Sequence, residues 1–151
     1  MAGSFKVRMW FHLEKERQKI LIVDDSEMNR SILTDILGPE YDIIEAENGL
    51  QAVAKLQQKQ EEISLVLLDI VMPELSGIDL GVRLREMNHR GAIIYLTISA
   101  EFAVDSYAAR AFHYLMKPVE PDTLFQVLDQ AAAQLDQERA ASITVKTKDG
   151  L

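Results

Sequence analysis

Cysteine is absent from the 151 residues of this chain. The chain therefore has no disulfide, no thiolate nucleophile and no cysteine-ligated zinc or iron–sulfur cluster, and its composition suits a reducing cytoplasm. No apolar run approaches the roughly 20 residues that a membrane-spanning helix needs. The first residues also lack the apolar stretch and small-residue cleavage site of a secretory signal. We therefore expect a cytoplasmic protein that makes no membrane contact.

Positive charge is also scarce, because 16 Lys and Arg face 24 Asp and Glu for a net charge of −8. Residues 1–19 carry a net +3, so the remainder of the chain carries −11. Such an acidic body is a poor nucleic-acid surface, because phosphate binding relies on clustered Lys and Arg. The length, with 48% hydrophobic and 26% charged residues, predicts one folded domain with short extensions.

Short apolar runs alternate with amphipathic segments along the chain. The predicted strands are residues 20–23, 41–44, 65–68, 92–96 and 112–116. The predicted helices are residues 26–37, 50–56, 78–87, 102–110 and 121 to about 141, with Asn48-Gly49 as a turn. The strands are continuous apolar runs, which is typical of a parallel sheet covered on both faces. We predict an α/β fold, a doubly wound five-stranded parallel sheet with the flavodoxin-like strand order 2-1-3-4-5.

Two terminal segments fall outside this pattern. Residues 1–18 are interpreted as a tail or an extension foreign to the domain, with a frayed strand at 4–13 as a further alternative. Residues 142–148 are predicted to form a further strand. A lone strand after a finished domain suggests a second domain that is cut off. We therefore divide the chain into a main domain at 19–140 and a linker with the start of a truncated domain at 141–151.

Polar residues close four of the five predicted strands. They are Asp24 and Asp25 after the first, Asp69 after the third, Thr97 after the fourth and Lys117 after the fifth. The carboxyl ends of parallel strands meet at one edge, so these side chains should converge. Three adjacent carboxylates with no His or Cys nearby favour Mg²⁺. An ammonium and a hydroxyl opposite the cation suit a phosphoryl group, and a carboxylate can accept it as an aspartyl phosphate.

A simpler interpretation applies to part of this set. An acidic or hydroxyl residue after a strand is often only the N-cap of the next helix, and Asp25 or Ser26 could have that role. The three histidines, His12, His89 and His113, have no metal-binding spacing and are interpreted as surface or packing residues.

Four motifs carry a resemblance to a known family. They are KILIVDD at 19–25, LLDIVMP at 67–73 with Gly77, IYLT at 94–97 and YLMKP at 114–118. In this order and spacing they resemble the receiver domain of bacterial two-component response regulators, over about residues 18–137. The resemblance implies a phosphorylation-dependent signalling switch that catalyses only its own phosphorylation and dephosphorylation.

The same resemblance implies a role for each residue. Asp69 would accept a phosphoryl group from a sensor histidine kinase. Asp24, Asp25, Asp69 and the backbone carbonyl of Val71 would hold Mg²⁺, with Asp24 acting through water. Thr97 and Lys117 would hold the phosphoryl group. Tyr114 falls at the aromatic switch position, although static packing of a half-buried strand tyrosine is the alternative.

A narrower resemblance concerns the segments 96–107 and 111–115. They are similar to receivers joined to a LytTR-type (LytR/AlgR-like) DNA-binding domain, and residues 143–151 resemble the first strand of that domain. The resemblance implies transcription regulation, with DNA bound only through the missing output domain. It also implies a phosphorylation-dependent homodimer, formed through the fourth helix, the fifth strand and the last helix.

Some residues depart from the receiver pattern. Ile98 stands after Thr97 where a small residue is usual, and Ser99-Ala100 is an alternative switch pair. Arg110 stands where glycine is frequent before the fifth strand. A Mg²⁺-dependent phosphatase of the haloacid-dehalogenase type is the alternative function, but such enzymes have a second Asp two residues after the nucleophile, where this chain has Val71. A receiver-like module that only binds a partner is a third interpretation.

Overall fold

The computed structural model describes residues 17–59, 62–72 and 75–149, and for residues 139–149 it describes the backbone alone. The strands are β1 (Lys19–Val23), β2 (Asp42–Ala46), β3 (Ile63–Leu68), β4 (Ala92–Thr97) and β5 (His113–Met116). The helices are α1 (Glu27–Leu37), α2 (Gly49–Lys59), α3 (Gly77–Glu86), a 3₁₀ helix (Asp105–Ala109) and α4 (Pro121–Asp149). Residues 1–16 of the predicted tail lie outside the described residues, and so does Pro73.

The five strands form one parallel sheet in the order β2-β1-β3-β4-β5. This is the predicted strand order. Val23 pairs with Ala46 on one side and Leu68 on the other, so β1, β2 and β3 end at the same level. Tyr95 pairs with Leu68 and with Tyr114, which aligns β4 and β5 with them. The polar residues that follow these strands therefore share one edge.

Alternate residues of each central strand face opposite helical layers. Ile20 and Ile22 pack in a cluster with α1 and α4, whereas Leu21 and Val23 pack in a cluster with α2, α3 and the 3₁₀ helix. β3 and β4 are buried along their whole length. The continuous apolar strands of the sequence are thus explained, because both faces of the sheet are covered.

Two helix starts show how local chemistry positions the loops. The Ser26 hydroxyl accepts the backbone N–H of Asn29 at 3.3 Å and caps α1. The side chain of Asn48 accepts the backbone N–H of Gln51 at 2.9 Å at the start of α2. Asn48-Gly49 is therefore the beginning of a helix and not a free-standing turn, because a side-chain oxygen there satisfies an end N–H that the helix leaves unpaired.

The other two differences from prediction concern residues after β4. The helix expected at 102–110 is only a 3₁₀ helix over Asp105–Ala109, preceded by turns. The strand expected at 142–148 is wrong, since α4 continues to Asp149. The β-branched residues of this segment favour a strand only weakly. A strand also needs a hydrogen-bonded neighbour, whereas a helix pairs its own backbone groups. Among the helices described here, none has the length and apolarity to cross a membrane.

Candidate functional site

Three acidic side chains meet at the carboxyl edge of the sheet. Asp24 and Asp25 follow β1, and Asp69 follows the neighbouring strand β3. One carboxylate oxygen from each residue lies within 4.8 Å of the other two. The parallel strands thus bring together carboxylates that are far apart in the chain.

Asp24 is the innermost carboxylate, with only 2% of its surface exposed. Its Oδ1 accepts the backbone N–H of Ser26 at 2.9 Å, and its Oδ2 accepts from Lys117 Nζ at 2.9 Å. The side-chain amide of Asn29 lies 3.5 Å from Oδ2, and Arg30 donates to the Asp24 carbonyl at 2.7 Å. A buried carboxylate without partners is costly, so the Ser26 N–H, the Asn29 amide and the Lys117 ammonium hold the Asp24 side chain in one position.

Asp25 is exposed beside it. The sequence left open whether Asp25 or Ser26 caps α1, and the structure assigns the cap to Ser26. The Asp25 carboxylate therefore has no capping role.

Lys117 supplies positive charge to the cluster. Its Nζ lies 2.9 Å from Asp24 Oδ2 and 3.9 Å from Asp69 Oδ1. Its backbone N–H donates to the carbonyl of Thr97 at 2.8 Å, one residue beyond the paired part of β4 and β5. The ammonium consequently stands between two carboxylates, where it can counter further negative charge.

Asp69 is the carboxylate with the most altered acidity. Burial raises the pKa of Asp69 to about 6, and the nearby negative charges of Asp24 and Asp25 act in the same direction. The Lys117 ammonium and the backbone N–H of Val71 lower the pKa but do not cancel the rise. The cluster thus holds more negative charge than its one ammonium offsets.

Gly77 determines how the loop after β3 packs. Its N–H donates to the carbonyl of Ile70 at 2.9 Å, and its own carbonyl accepts from the buried Tyr95 hydroxyl at 3.1 Å. A Cβ at this position would lie 2.1 Å from the Asp69 backbone oxygen, far inside contact distance. Position 77 therefore needs glycine, and that glycine keeps the Asp69 backbone against the start of α3.

Thr97 and Tyr114 are connected through one peptide segment. Thr97 is fully buried, and its hydroxyl oxygen accepts the backbone N–H of Ser99 at 3.4 Å. The Tyr114 hydroxyl donates to the carbonyl of the same Ser99. The Tyr114 ring lies 6.2 Å from that of Tyr95, centroid to centroid. A displacement of Thr97 would thus be transmitted to Tyr114 through both backbone groups of Ser99.

Some of the predicted site residues contact one another directly, and others lie beside them on neighbouring strands. Asp24, Asp25, Asp69 and Lys117 form the cluster, whereas Thr97 and Tyr114 lie on the adjoining strands. Val71 is 55% exposed, and Ile98 is 73% exposed. Neither belongs to the hydrophobic core. Sequence reasoning missed the donors that fix Asp24 and the link through Ser99. The N-cap pattern at Ser26 was a usable signal for the first, but a backbone link leaves no residue-type pattern.

The chain belongs to the response regulator receiver domain family, whose family profile matches residues 20–129. It is a receiver, a phosphorylation-activated signalling switch. Receiver domains are in general signalling proteins rather than enzymes, and they act with a sensor kinase and bind Mg²⁺ through acidic residues.

Curated relatives of this chain include two bacterial regulatory proteins. The chain is 36% identical over 117 residues to the positive alginate biosynthesis regulatory protein of Pseudomonas aeruginosa, which covers 75% of this chain and 46% of the relative. It is 33% identical over 125 residues to the transcriptional regulatory protein BtsR of Escherichia coli (strain K12), covering 81% and 49%. The chain thus spans about half the length of these relatives.

Solved structures agree with the fold. A CheY-like receiver domain from Methanospirillum hungatei JF-1 matches with a TM-score of 0.75 and 29% identity, covering 82% of this chain and 99% of that one. The chemotaxis protein CheY4 of Vibrio cholerae matches with a TM-score of 0.70 and 28% identity, covering 76% and 98%.

The described donor set fits a magnesium ion. It consists of carboxylate oxygens alone, which Mg²⁺ prefers, and they are close enough to share one ion. Burial and, after it, the negative charges of Asp24 and Asp25 raise the pKa of Asp69, and a cation held by the three carboxylates would offset this rise.

Proposed function

We propose that Asp69 is the phosphoacceptor of this receiver. The observation that carries the proposal is the position of its carboxylate within 4.8 Å of Asp24 and Asp25 and 3.9 Å from the Lys117 ammonium. An Asp69 oxygen forms a bond to phosphorus as the phosphorus–nitrogen bond of a phosphohistidine breaks. The imidazole of the kinase is the leaving group.

The neighbouring residues have separate tasks in this proposal. Asp24, Asp25, Asp69 and the Val71 carbonyl hold Mg²⁺, which when bound supplies positive charge against the phosphoryl oxygens. Lys117 gives up part of its contact with Asp24 and pairs with the phosphoryl group. The Thr97 hydroxyl donates a hydrogen bond to the same group.

A phosphatase of the haloacid-dehalogenase type is less well supported. Such an enzyme needs a general acid two residues after its nucleophile, and Val71 has no ionisable side chain there. The family match points to a switch, so we expect a long-lived adduct and not turnover of many phosphate esters.

The direct test is intact-mass measurement after incubation with acetyl phosphate and Mg²⁺. We expect one added phosphoryl group on the wild-type chain and none on Asp69→Ala. Asp25→Ala should lose both Mg²⁺ binding and Mg²⁺-dependent labelling, whereas Asp79→Ala, an exposed change on α3, is the matched control. Labelling that survives in Asp69→Ala would place the acceptor elsewhere.

We further propose that the output surface comprises the 3₁₀ helix, β5 and the adjoining part of α4. Phosphorylation draws the Thr97 hydroxyl toward Asp69, and the Ser99 segment carries that movement to Tyr114 and the 3₁₀ helix. Val104 and Tyr107, exposed by 77% and 79%, give this surface an apolar centre. A two-state shift from 1:99 to 99:1 needs about 5.5 kcal/mol, which several charge-assisted hydrogen bonds can supply.

On this view the surface forms a phosphorylation-dependent homodimer. The dimer would bring two LytTR-type output domains, which are separate from the receiver at 19–140, to DNA. Analytical ultracentrifugation with and without beryllofluoride and Mg²⁺ tests the dimer. We expect association with beryllofluoride that Tyr107→Ala abolishes and Leu50→Ala, an equally exposed apolar control on α2, leaves intact. An unchanged sedimentation coefficient, with no amide shift at Tyr107 or Tyr114, would contradict the proposal.

A further inference from the structure

A groove at the opposite edge of the sheet gathers three arginines. It has a volume of about 400 Å³ and lies beside the amino ends of β4 and β5. Its lining includes Arg85, Arg90 and Arg110 with the apolar residues Ala111, Phe112 and Leu135. The carboxylate cluster lies at the carboxyl ends of the same strands, so the groove is a separate site.

Arg85 is the fixed centre of the groove. Its guanidinium donates to the backbone carbonyls of His89, Gly91, Ala109 and Arg110 at 2.7–3.0 Å. These oxygens satisfy the donors but carry no formal negative charge. Burial lowers the pKa of Arg85, and the positive charge of Arg110 lowers it further. The two positive charges therefore repel each other.

The carboxylates that the structure describes form no ion pair with this group. Among the side chains that the structure describes, none of the three guanidiniums has a carboxylate partner within 4.0 Å. Glu138 lines the same groove, yet its hydrogen-bond donor is the Gln134 amide at 3.2 Å. In a chain with 24 acidic residues against 16 basic ones, a groove lined by three arginines and one glutamate is an unexpected concentration of positive charge.

The backbone at Arg110 is a second, independent observation. Its φ of 52° and ψ of 50° lie in the left-handed region, where glycine is favoured over any residue with a Cβ. An arginine nevertheless occupies the position and lines the groove. Strain of this kind is often found where a side chain has a functional role.

We propose that this groove binds a small organic phosphate. The guanidinium forks of Arg90 and Arg110 match phosphate oxygens, whereas Arg85, which already donates to four carbonyls, adds positive charge. A phosphate dianion neutralises more of this charge than a carboxylate does. Phe112 and Leu135, which also line the groove, offer apolar contacts to the organic part of such a ligand. A volume of about 400 Å³ is in the range of small-molecule sites.

An occupied groove would also affect the output surface. Arg110 directly follows the 3₁₀ helix, whereas Ala131 and Leu135 belong to α4. A ligand that contacts both elements holds them together, so amide hydrogen exchange in the 3₁₀ helix becomes slower. This readout is independent of phosphorylation at Asp69.

The test is NMR titration of the ¹⁵N-labelled full chain with AMP, GMP, glucose 6-phosphate and glycerol 3-phosphate. Adenosine, inorganic phosphate and hexaglutamate are the comparison probes. We expect at least one organic phosphate to shift amides of 85–92 and 109–112, while adenosine does not. Arg90→Gln and Arg110→Gly should weaken binding at least tenfold, and Arg83→Gln, an exposed arginine on α3 outside the groove, by less than twofold.

Arg110→Gly keeps the test interpretable, because glycine suits the left-handed backbone and the variant should fold at least as well as the wild type. The proposal is overturned if no organic phosphate binds at the groove, or if Arg83→Gln weakens binding as much as Arg110→Gly. Inorganic phosphate binding as tightly as every ester would exclude a role for the organic part. Tighter binding of hexaglutamate would identify an acidic protein segment as the occupant instead.

Discussion

The two edges of the sheet carry opposite charges, and the charged side chains at each edge have different kinds of partner. At the carboxyl edge three carboxylates share one ammonium, and Asp24 is paired directly with Lys117. At the amino edge Arg85 is satisfied by uncharged carbonyl oxygens alone. Hydrogen bonding and charge balance are therefore separate requirements. At each edge the hydrogen bonds of the charged groups are more complete than the balance of their charges. A ligand of opposite charge is the natural way to meet the second requirement at either edge.

One residue near each edge has a strongly altered acidity. Burial raises the pKa of Asp69 to about 6, and burial lowers the pKa of His89 to about 4. Like charges add to both shifts, from Asp24 and Asp25 in the first case and from Arg85 in the second. The two shifts have the same physical causes and opposite signs.

The largest effect is expected from Arg85→Met. The change leaves four backbone carbonyls without their donor, two of them belonging to the buried residues His89 and Ala109. We expect the free energy of unfolding to fall by about 3 kcal/mol, measured by urea denaturation. Arg85→Lys should lose most of the same amount, because an ammonium cannot reach four acceptors in a plane.

Arg83→Met is the matched control, since Arg83 is exposed on the same helix. Its stability should stay within about 0.5 kcal/mol of the wild type. Equal losses for the two variants would mean that the stabilisation comes from helix propensity or net charge, and not from the contacts of Arg85.

Most of the carboxyl edge was predictable from sequence. Continuous apolar strands imply a parallel sheet, and a parallel sheet places Asp24, Asp69 and Lys117 at one edge whatever the details of the loops. What the sequence does not encode by residue type is a backbone contact. The Ser99 link and the four carbonyl acceptors of Arg85 were missed for that reason.

The errors of prediction arose where local preference and wider context disagree. Asn48-Gly49 is a frequent turn pair, yet the same asparagine oxygen caps a helix. Residues 142–148 favour a strand locally, but a strand without a neighbour leaves backbone groups unpaired, and α4 continues instead. The arginine groove could not be predicted, because it forms between loops whose approach depends on tertiary packing.

The second prediction concerns His89, which is 3% exposed and whose Nε2 has no hydrogen-bond partner among the described residues. Its pKa is lower in the folded chain than in the unfolded chain, so only the unfolded state gains the proton between pH 6.5 and about 4. Stability from this residue is therefore present above pH 6.5 and lost as the pH falls to about 4, by about 2 kcal/mol. His89→Gln should remove this loss in urea denaturation at stepped pH. A difference between wild type and variant that does not change with pH would contradict the assignment.

The smallest change in the free energy of unfolding is expected from Asp69→Asn. Its dependence on pH is opposite in sign to that of His89→Gln, which makes the two edges directly comparable. The folded-state pKa of Asp69 is raised, so its contribution to stability is present below about pH 3.8 and lost as the pH rises through about 6. In EDTA near pH 7.5, Asp69→Asn should therefore be more stable than the wild type by about 1 kcal/mol, since the residue is partly solvated. The gain should shrink as the pH falls toward 4, where His89→Gln shows its largest advantage. Saturating Mg²⁺ should narrow the gain near pH 7.5, because the ion stabilises the wild-type cluster and asparagine is a weaker ligand. A gain unaffected by both pH and Mg²⁺ would mean that Asp69 is destabilising for reasons of packing, and that uncompensated charge is not what distinguishes the carboxyl edge.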